Sequence, residues 1–191
     1  RNVVFLGHGG SGKTTLAEAI SYSTGVITRM GRVQDGNTIS DYDKEEIKRK
    51  FSINASVIPV EWNGLKINIL DAPGYFVGQM EDAMSVADAA VIVVNGKAGI
   101  EVGTIKAWEI CERRQIPRIF FITNMDDPNA KYMEIVEQLK ERFGKKVAPF
   151  HLPIIEEGKL TGYVNVVKMG GRKFTDDLGS YTERDIPEDL T

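Results

Sequence analysis

Short apolar runs alternate with segments whose apolar residues recur at helical spacing along most of the first 147 positions. The alternation predicts strands over five ranges: 2–6, 56–62, 65–70, 90–95 and 117–122. It predicts helices over four ranges: 13–23, 80–89, from just after Glu101 to 114, and 127–143. Strands and helices that alternate in this way indicate an α/β fold, with a mostly parallel sheet and helices on both faces.

Three stretches depart from this alternation. Asn63-Gly64 joins two of the strands and is typical of a two-residue hairpin turn. Residues 25–52 are polar and irregular, and we expect them to be mobile and functional, because a long structureless stretch inside a domain usually has a function. From about residue 148, the ranges 149–155 and 159–167 predict antiparallel strands, and residues 170–191 predict no element.

The stretch Gly7-His8-Gly9-Gly10-Ser11-Gly12-Lys13-Thr14 fits the phosphate-loop pattern G-x-x-x-x-G-K-[ST] at every fixed position. It lies between a predicted strand and a predicted helix, which is the context this motif requires. The loop backbone N–H groups can surround a phosphate, at which the positive end of the helix also points. Lys13 would reach the β- and γ-phosphates, and the Thr14 hydroxyl would hold Mg²⁺. The predicted nucleotide-binding residues here are His8, Gly9, Gly10, Ser11, Gly12, Lys13, Thr14 and Thr15.

Two further polar stretches follow predicted strands. Asp71-Ala72-Pro73-Gly74 would place a carboxylate near Mg²⁺ and a backbone amide near the γ-phosphate. Thr123-Asn124-Met125-Asp126 stands where a base-reading loop belongs. Because ligands bind outside the carboxyl ends of parallel strands, we expect both stretches to lie beside the phosphate loop.

The composition of the chain limits its possible partners and its compartment only slightly. The net charge of −3 gives no global basic field that would indicate nucleic acid or anionic membrane as a partner. Cys111 is the one cysteine, so no disulfide forms within the chain, which suits a reducing compartment. No apolar run is long enough to span a membrane, so we expect a cytoplasmic protein with no membrane partner. The chain begins at Arg1 almost directly in the first strand, and we expect it to be an excised piece.

The order and spacing of these motifs resemble those of translational GTPases of the elongation factor G family, and most of all its divergent elongation-factor-G-like branch. The resemblance implies a P-loop NTPase G domain over residues 1–147 and the start of an inserted antiparallel subdomain over residues 148–191. Residues 164–169 and 183–187 are the recognisable pieces of the second part. It also implies that the final guanine-binding loop and the later domains lie outside this chain.

The resemblance also assigns roles. It implies GTP or GDP and Mg²⁺ as ligands, the ribosome as the partner of the full-length protein, a monomer, and hydrolysis of GTP to GDP and phosphate. Metal ligands would be Thr14, Ser52 and Asp71, and Lys13, Gly74 and Tyr75 would act in catalysis. The remaining nucleotide contacts would come from the phosphate loop together with Asp71, Gly74, Thr123, Asn124 and Asp126, of which Asp126 would pair with guanine.

Several residues depart from the family's pattern. Gly9 and Gly10 replace an apolar residue and an aspartate, and Lys50 and Ser52 replace the glycine and threonine of R-G-I-T. Tyr75 stands in place of the catalytic histidine, and the segment that follows it is about two residues short. Thr123 and Asn124 replace the asparagine and lysine of N-K-M-D.

Three functions therefore stay open: a GTPase, a nucleotide-responsive switch with little or no hydrolysis, and another P-loop class such as an ATPase or small-molecule kinase. The Asp71–Gly74 turn together with Asp126 argues against the third.

Overall fold

A five-stranded sheet forms the first of two units into which the chain divides, Arg1–Thr123 and Asn124–Thr191. The computed structural model describes residues 1–176 and 179–190. The first sheet contains β1 Asn2–Gly7, β2 Ser56–Trp62, β3 Leu65–Asp71, β4 Ala89–Asn95 and β5 Arg118–Thr123. Its strand order is β2-β3-β1-β4-β5, in which only β2 runs antiparallel to its neighbour. The predicted α/β fold with a mostly parallel sheet is confirmed.

Helices cover both faces of this sheet because successive side chains of a strand point to opposite sides. The helices of the unit are α1 Lys13–Ser23, α2 Lys44–Arg49, α3 Val77–Met84 and α4 Val102–Arg114. Val4 and Leu6 of β1 pack in one buried cluster with residues of α3 and α4. Phe5, between them, packs in a second cluster with residues of α1, β2 and β3. Each face of the central strand therefore has its own core.

The segment 25–52 contains more regular structure than its sequence predicts. It contains α2 and one turn of 3-10 helix, Val33–Asp35. A capping box starts α2: the Asp43 carboxylate accepts from the Glu45 backbone N–H at 2.7 Å, and the Asp43 N–H donates to the Glu46 carboxylate at 3.1 Å. Lys50, at φ 59°, ends the helix in the left-handed conformation. Local capping thus forms a helix where no apolar periodicity marks one.

Two helix boundaries also differ from the prediction. The α3 helix begins three residues earlier than predicted and ends at Met84, where the Ser85 hydroxyl donates to the Asp82 carbonyl at 2.6 Å. In the second unit, α5 spans Tyr132–Phe143 and starts later than predicted. The Asp127 carboxylate accepts from the Asn129 N–H at 2.8 Å, so Asp127-Pro128-Asn129 forms a turn instead of opening the helix.

The second unit also contains a four-stranded antiparallel sheet in the order β6-β7-β8-β9. Its strands are β6 His151–Glu156, β7 Lys159–Asn165, β8 Gly170–Phe174 and β9 Tyr181–Arg184, followed by one 3-10 turn, Glu188–Leu190. The two predicted strands are confirmed as β6 and β7. β8 and β9 lie in the tail for which no element was predicted, and their short, glycine-containing and charged sequences explain why.

The predicted domain boundary after residue 147 falls between α5 and β6, whereas the compact units divide between Thr123 and Asn124. Three residues of the predicted segment 148–191 lie outside the described residues: Asp177, Leu178 and Thr191.

Candidate nucleotide-binding site

The phosphate loop connects the carboxyl end of β1 to the first turn of α1. Gly10 and Gly12 have φ angles of 80° and 93°, a region that favours glycine. Gly7, at φ 140°, also lies where a Cβ would come within 2.3 Å of the Val93 carbonyl oxygen of β4. The loop therefore needs glycine at these positions, both for its turns and for its close approach to the sheet.

Lys13 is buried and folds back onto the loop. Its Nζ donates to the carbonyl of His8 at 2.7 Å and to that of Gly7 at 3.3 Å. Burial lowers the pKa of Lys13 to about 8, against the opposing influence of the Asp71 and Glu101 carboxylates. A Cβ on Gly74 would lie 2.7 Å from this Nζ and 2.4 Å from the Gly9 nitrogen. The turn after β3 therefore brings the Gly74 backbone against the loop, where only glycine fits.

Four oxygen-bearing side chains form a connected cluster beside Lys13. The Thr14 hydroxyl donates to an Asp71 carboxylate oxygen at 2.7 Å and lies 3.2 Å from the Ser52 hydroxyl. Ser52 in turn donates to Asp41 at 2.6 Å. The three metal ligands predicted from sequence, Thr14, Ser52 and Asp71, are thus brought together. Asp41 was missed, because it lies in the segment 25–52 with no motif around it.

This cluster fits a small divalent cation. Burial raises the pKa of Asp71 to about 6, even though Lys13 is nearby, and also raises the pKa of Asp41, so deprotonating both residues is costly without a further positive charge. One oxygen of each, Asp71 Oδ1 and Asp41 Oδ2, is buried with no hydrogen-bond partner among the described residues. No group of three or more histidine, cysteine, aspartate or glutamate residues within the described ranges forms a metal cage. Such a sparse set of oxygens suits Mg²⁺, which binds through one or two carboxylates plus substrate phosphates.

Tyr75 lies against the loop at the position of a missing side chain. A Cβ on Gly9 would fall 2.0 Å from the Cζ atom of the Tyr75 ring. The ring makes edge contacts with His8 and Phe51, at centroid distances of 5.5 and 5.6 Å. Gly9 and Tyr75 both depart from the family's pattern, and here they contact each other. The Tyr75 ring occupies space that any larger residue at position 9 would fill.

His8 anchors the loop to the start of α4. Its Nδ1 accepts from the Gly103 N–H at 3.3 Å, and its Nε2 lies 3.5 Å from a Glu101 carboxylate oxygen. A Cβ on Gly103 would come within 2.4 Å of the His8 Cα, so the two backbones touch. These contacts explain the histidine as part of the loop's support.

Thr123 supports the loop from β5. Its hydroxyl lies 2.7 Å from the Ser11 carbonyl, to which it donates, and 3.2 Å from the Val94 carbonyl. The Ser11 hydroxyl itself is buried without a hydrogen-bond partner in the described part of the chain. Thr123 therefore links the end of β5 to the loop.

The first unit carries a cleft of about 190 Å³ over this arrangement. It is lined by Gly9, Gly10, Gly12, Lys13, Thr14, Thr15, Val33, Gln34, Asp41, Lys50, Phe51, Ser52, Gly74 and Tyr75. Asn124 and Asp126 belong to the second unit. Asn124 has a φ of 55°, and its carbonyl accepts from the Asp127 N–H at 3.2 Å, while Asp126 is exposed.

Comparison with known proteins supports the family suggested by the motifs. A family model described as the elongation factor Tu GTP binding domain matches residues 1–181. Elongation factor G 1 of Syntrophomonas wolfei is 33% identical over 194 aligned positions, which cover 100% of this chain and 29% of that protein. A protein named ribosome-releasing factor 2, mitochondrial, of Culex quinquefasciatus is 33% identical over 169 positions, covering 87% of this chain and 23% of its own length.

A crystal structure of a protein from Thermus thermophilus superposes with a TM-score of 0.92 at 37% identity, covering 99% of this chain and 28% of that one. The chain thus spans less than a third of the length of each of these relatives. No helix in the described ranges is long and apolar enough to cross a membrane.

Proposed function

Because this chain belongs to the family of elongation factor Tu GTP binding domains, we propose that it binds Mg²⁺ and GTP and hydrolyses GTP to GDP and phosphate. The observation that carries the proposal is the meeting of Lys13, Thr14 and Asp71. These residues come from two separate motifs, and their side chains share one buried cluster at the carboxyl ends of β1 and β3.

Each residue has a definite task in this proposal. Lys13 contributes a positive charge to the β- and γ-phosphates, and the Gly74 N–H donates to the γ-phosphate. Thr14, Ser52 and Asp71 would hold Mg²⁺, and Asp41, which also lines the cleft, is hydrogen-bonded to Ser52. Bound Mg²⁺ neutralises the charge that develops on the phosphate oxygens. Tyr75 orders the attacking water through its phenolic oxygen, as a glutamine does in other GTPases.

Recognition of guanine rests on the resemblance of Thr123-Asn124-Met125-Asp126 to the family's motif. The Asp126 carboxylate would accept from the N1–H and the exocyclic amine of guanine. Two of the relatives are named for elongation and for ribosome release, which supports the ribosome as the partner of the full-length protein. We further propose that it acts as a monomer in the cytoplasm, although the Culex relative is mitochondrial by name.

Replacement of Lys13 tests the phosphate assignment. Lys13→Ala should weaken GDP binding roughly 10- to 150-fold, because the phosphates lose a buried charge-assisted hydrogen bond worth about 1.5–3 kcal/mol. Isothermal titration calorimetry measures this directly, with Lys106→Ala on the exposed face of α4 as the matched control. Equal GDP affinity in the two variants would overturn the assignment.

A second function, a nucleotide-responsive switch with negligible hydrolysis, is favoured by one observation. Tyr75 replaces the family's histidine and packs on the loop at Gly9. Single-turnover hydrolysis of bound GTP, with and without ribosomes in the full-length protein, separates the two functions. Competition of GTP against ATP tests the remaining P-loop classes.

A further inference from the structure

Two buried glutamates organise the segment that carries Asp41 and Ser52. Glu18 on α1 and Glu46 on α2 are each 1% exposed. Among the described residues neither carboxylate has a lysine or arginine partner, and both are satisfied by backbone N–H groups. A buried carboxylate without a counter-charge is costly unless such donors surround it, so these residues need an explanation beyond packing.

Glu18 fixes the first half of the segment. Its two oxygens accept from the N–H of Gly31, at 2.7 Å, and from the N–H of Ile39. A Cβ on Gly31 would lie 2.3 Å from the Asn37 carbonyl oxygen, so the chain folds tightly back on itself between the two donors. Asp41 follows Ile39 by two residues and donates its N–H to the Thr38 hydroxyl at 3.2 Å. The position of Asp41 is thereby tied to Glu18.

Glu46 fixes the second half in the same manner. One of its oxygens accepts from the N–H groups of Ile53 and Asn54, both at 2.9 Å, and the other accepts from Asp43 at 3.1 Å. Ser52 immediately precedes the first two donors. Its hydroxyl lies 3.2 Å from that of Thr14. Glu46 therefore fixes the backbone directly beside Ser52.

We infer that Glu18 and Glu46 are positioning residues, which hold residues 31–54 against the phosphate loop so that Asp41 and Ser52 face Thr14 and Asp71. The part of this inference that concerns Mg²⁺ rests on the proposed function. Neither glutamate belongs to a motif of the phosphate loop or of the metal ligands, and neither is among the residues that line the cleft. Each accepts hydrogen bonds from the backbone next to a cluster residue, and each carboxylate also repels that of Asp41.

Glutamine variants test the inference. Glu18→Gln and Glu46→Gln keep the shape of the side chain but leave one oxygen as acceptor, and the new amide N–H₂ faces a backbone N–H. Glu45→Gln is the control, because Glu45 is exposed on the same α2 helix and forms a surface ion pair with Arg49. Trypsin reports the opening of the segment without any nucleotide, since it offers the sites Arg29, Arg32, Lys44, Lys48, Arg49 and Lys50.

Trypsin should cleave the nucleotide-free chain within residues 29–50 about tenfold faster or more in both variants than in Glu45→Gln. A tenfold effect corresponds to the smallest free energy expected for loss of one hydrogen bond to a charged group. The Mg²⁺ concentration at which half of the chain retains bound GDP should also rise severalfold. A lower free energy of unfolding alone would not cause this shift. Cleavage at the control's rate would overturn the inference.

Two further outcomes are also decisive. If a glutamine variant is cleaved throughout the chain, Glu18→Asp and Glu46→Asp replace it, because they keep the charge and shorten its reach. These must then show faster cleavage confined to residues 29–50, or the inference fails. If the unaltered chain binds no GDP, the proposed function fails, while the cleavage pattern still decides whether the glutamates order the segment.

Discussion

At Gly9 the missing side chain is what allows Tyr75 to lie against the phosphate loop. A Cβ there would stand 2.0 Å from the ring, so no larger residue fits while Tyr75 keeps this position. The family's pattern has an apolar residue and a histidine at the corresponding places. The two departures from that pattern are therefore in contact with each other. Tyr75 places a phenol where the family's pattern has a histidine.

Removal of the phenolic oxygen of Tyr75 tests its role. If its oxygen orders the attacking water, Tyr75→Phe should slow hydrolysis of bound GTP at least tenfold, about 1.4 kcal/mol of barrier, with nucleotide affinity unchanged. Single-turnover assays measure the rate, and Tyr42→Phe, at an exposed tyrosine, is the matched control. A Tyr75→Phe rate equal to the parent's would mean that Tyr75 only packs on the loop.

Asp71 gives a second residue-level prediction through pH. Burial raises its pKa from 3.8 to about 6, so between about pH 4 and pH 6 the folded chain keeps a proton that the unfolded chain has released. The contribution of Asp71 to the free energy of unfolding therefore falls as pH rises through this window, by about 3 kcal/mol in total. Above pH 7 no further change from this residue is expected.

Urea unfolding without Mg²⁺ or nucleotide measures the effect. The asparagine of Asp71→Asn does not titrate. The free energy of unfolding of the unaltered chain minus that of this variant should therefore decline from pH 4.5 to pH 6.5 and then level off. Asp82→Asn, at an exposed position of α3, controls for the loss of a carboxylate. Parallel pH curves for the parent and Asp71→Asn would show that the aspartate keeps an ordinary pKa.

At the scale of elements, the periodicity of apolar residues correctly predicted the strands and helices that form through burial of an apolar face. The strands of the first sheet and α1 are bounded by sharp changes from apolar to turn residues, and the structure has them within one residue of their predicted ends. The α2 helix depends on a capping box, and β8 and β9 are short and contain glycine or charged residues, so local pattern did not mark them. Asp41 and the buried glutamates Glu18 and Glu46 gain their roles only through folding of the segment around them.

The pairing of β7 with β8 depends on one close approach of their backbones. A Cβ on Gly162 would lie 2.0 Å from the Arg172 carbonyl oxygen on the neighbouring strand, whereas a Cβ on Gly170 would meet nothing within 4 Å. Gly162→Ala should therefore force the strands apart and cost about 2 kcal/mol or more, while Gly170→Ala should be nearly neutral. Hydrogen exchange of the β7 and β8 amides measures the local free energy of opening. Equal protection in the two variants would refute this account of the glycine.

At the scale of the whole molecule, phosphate recognition and base recognition are proposed for residues of different units, and each is considered by itself. Lys13, Thr14 and Asp71 lie in the first, and Asp126 lies in the second. Phosphate recognition is supported by side-chain contacts, whereas base recognition rests on the resemblance of one short motif. The choice of base is therefore tested at this scale.

Asp126→Asn should exchange guanine for xanthine as the preferred base. The carboxylate accepts from two N–H donors of guanine, and loss of a charge-assisted hydrogen bond costs about 1.5–3 kcal/mol, or roughly 10- to 150-fold in GTP affinity. The asparagine amide instead donates to the additional carbonyl of xanthine, so binding of xanthosine triphosphate should improve. Asp126→Ala is the control for a general loss of binding. It should bind GTP more weakly without binding xanthosine triphosphate more tightly. Competition titrations of both variants in the full-length protein decide the matter: an unchanged ratio of the two affinities in Asp126→Asn would mean that another residue reads the base.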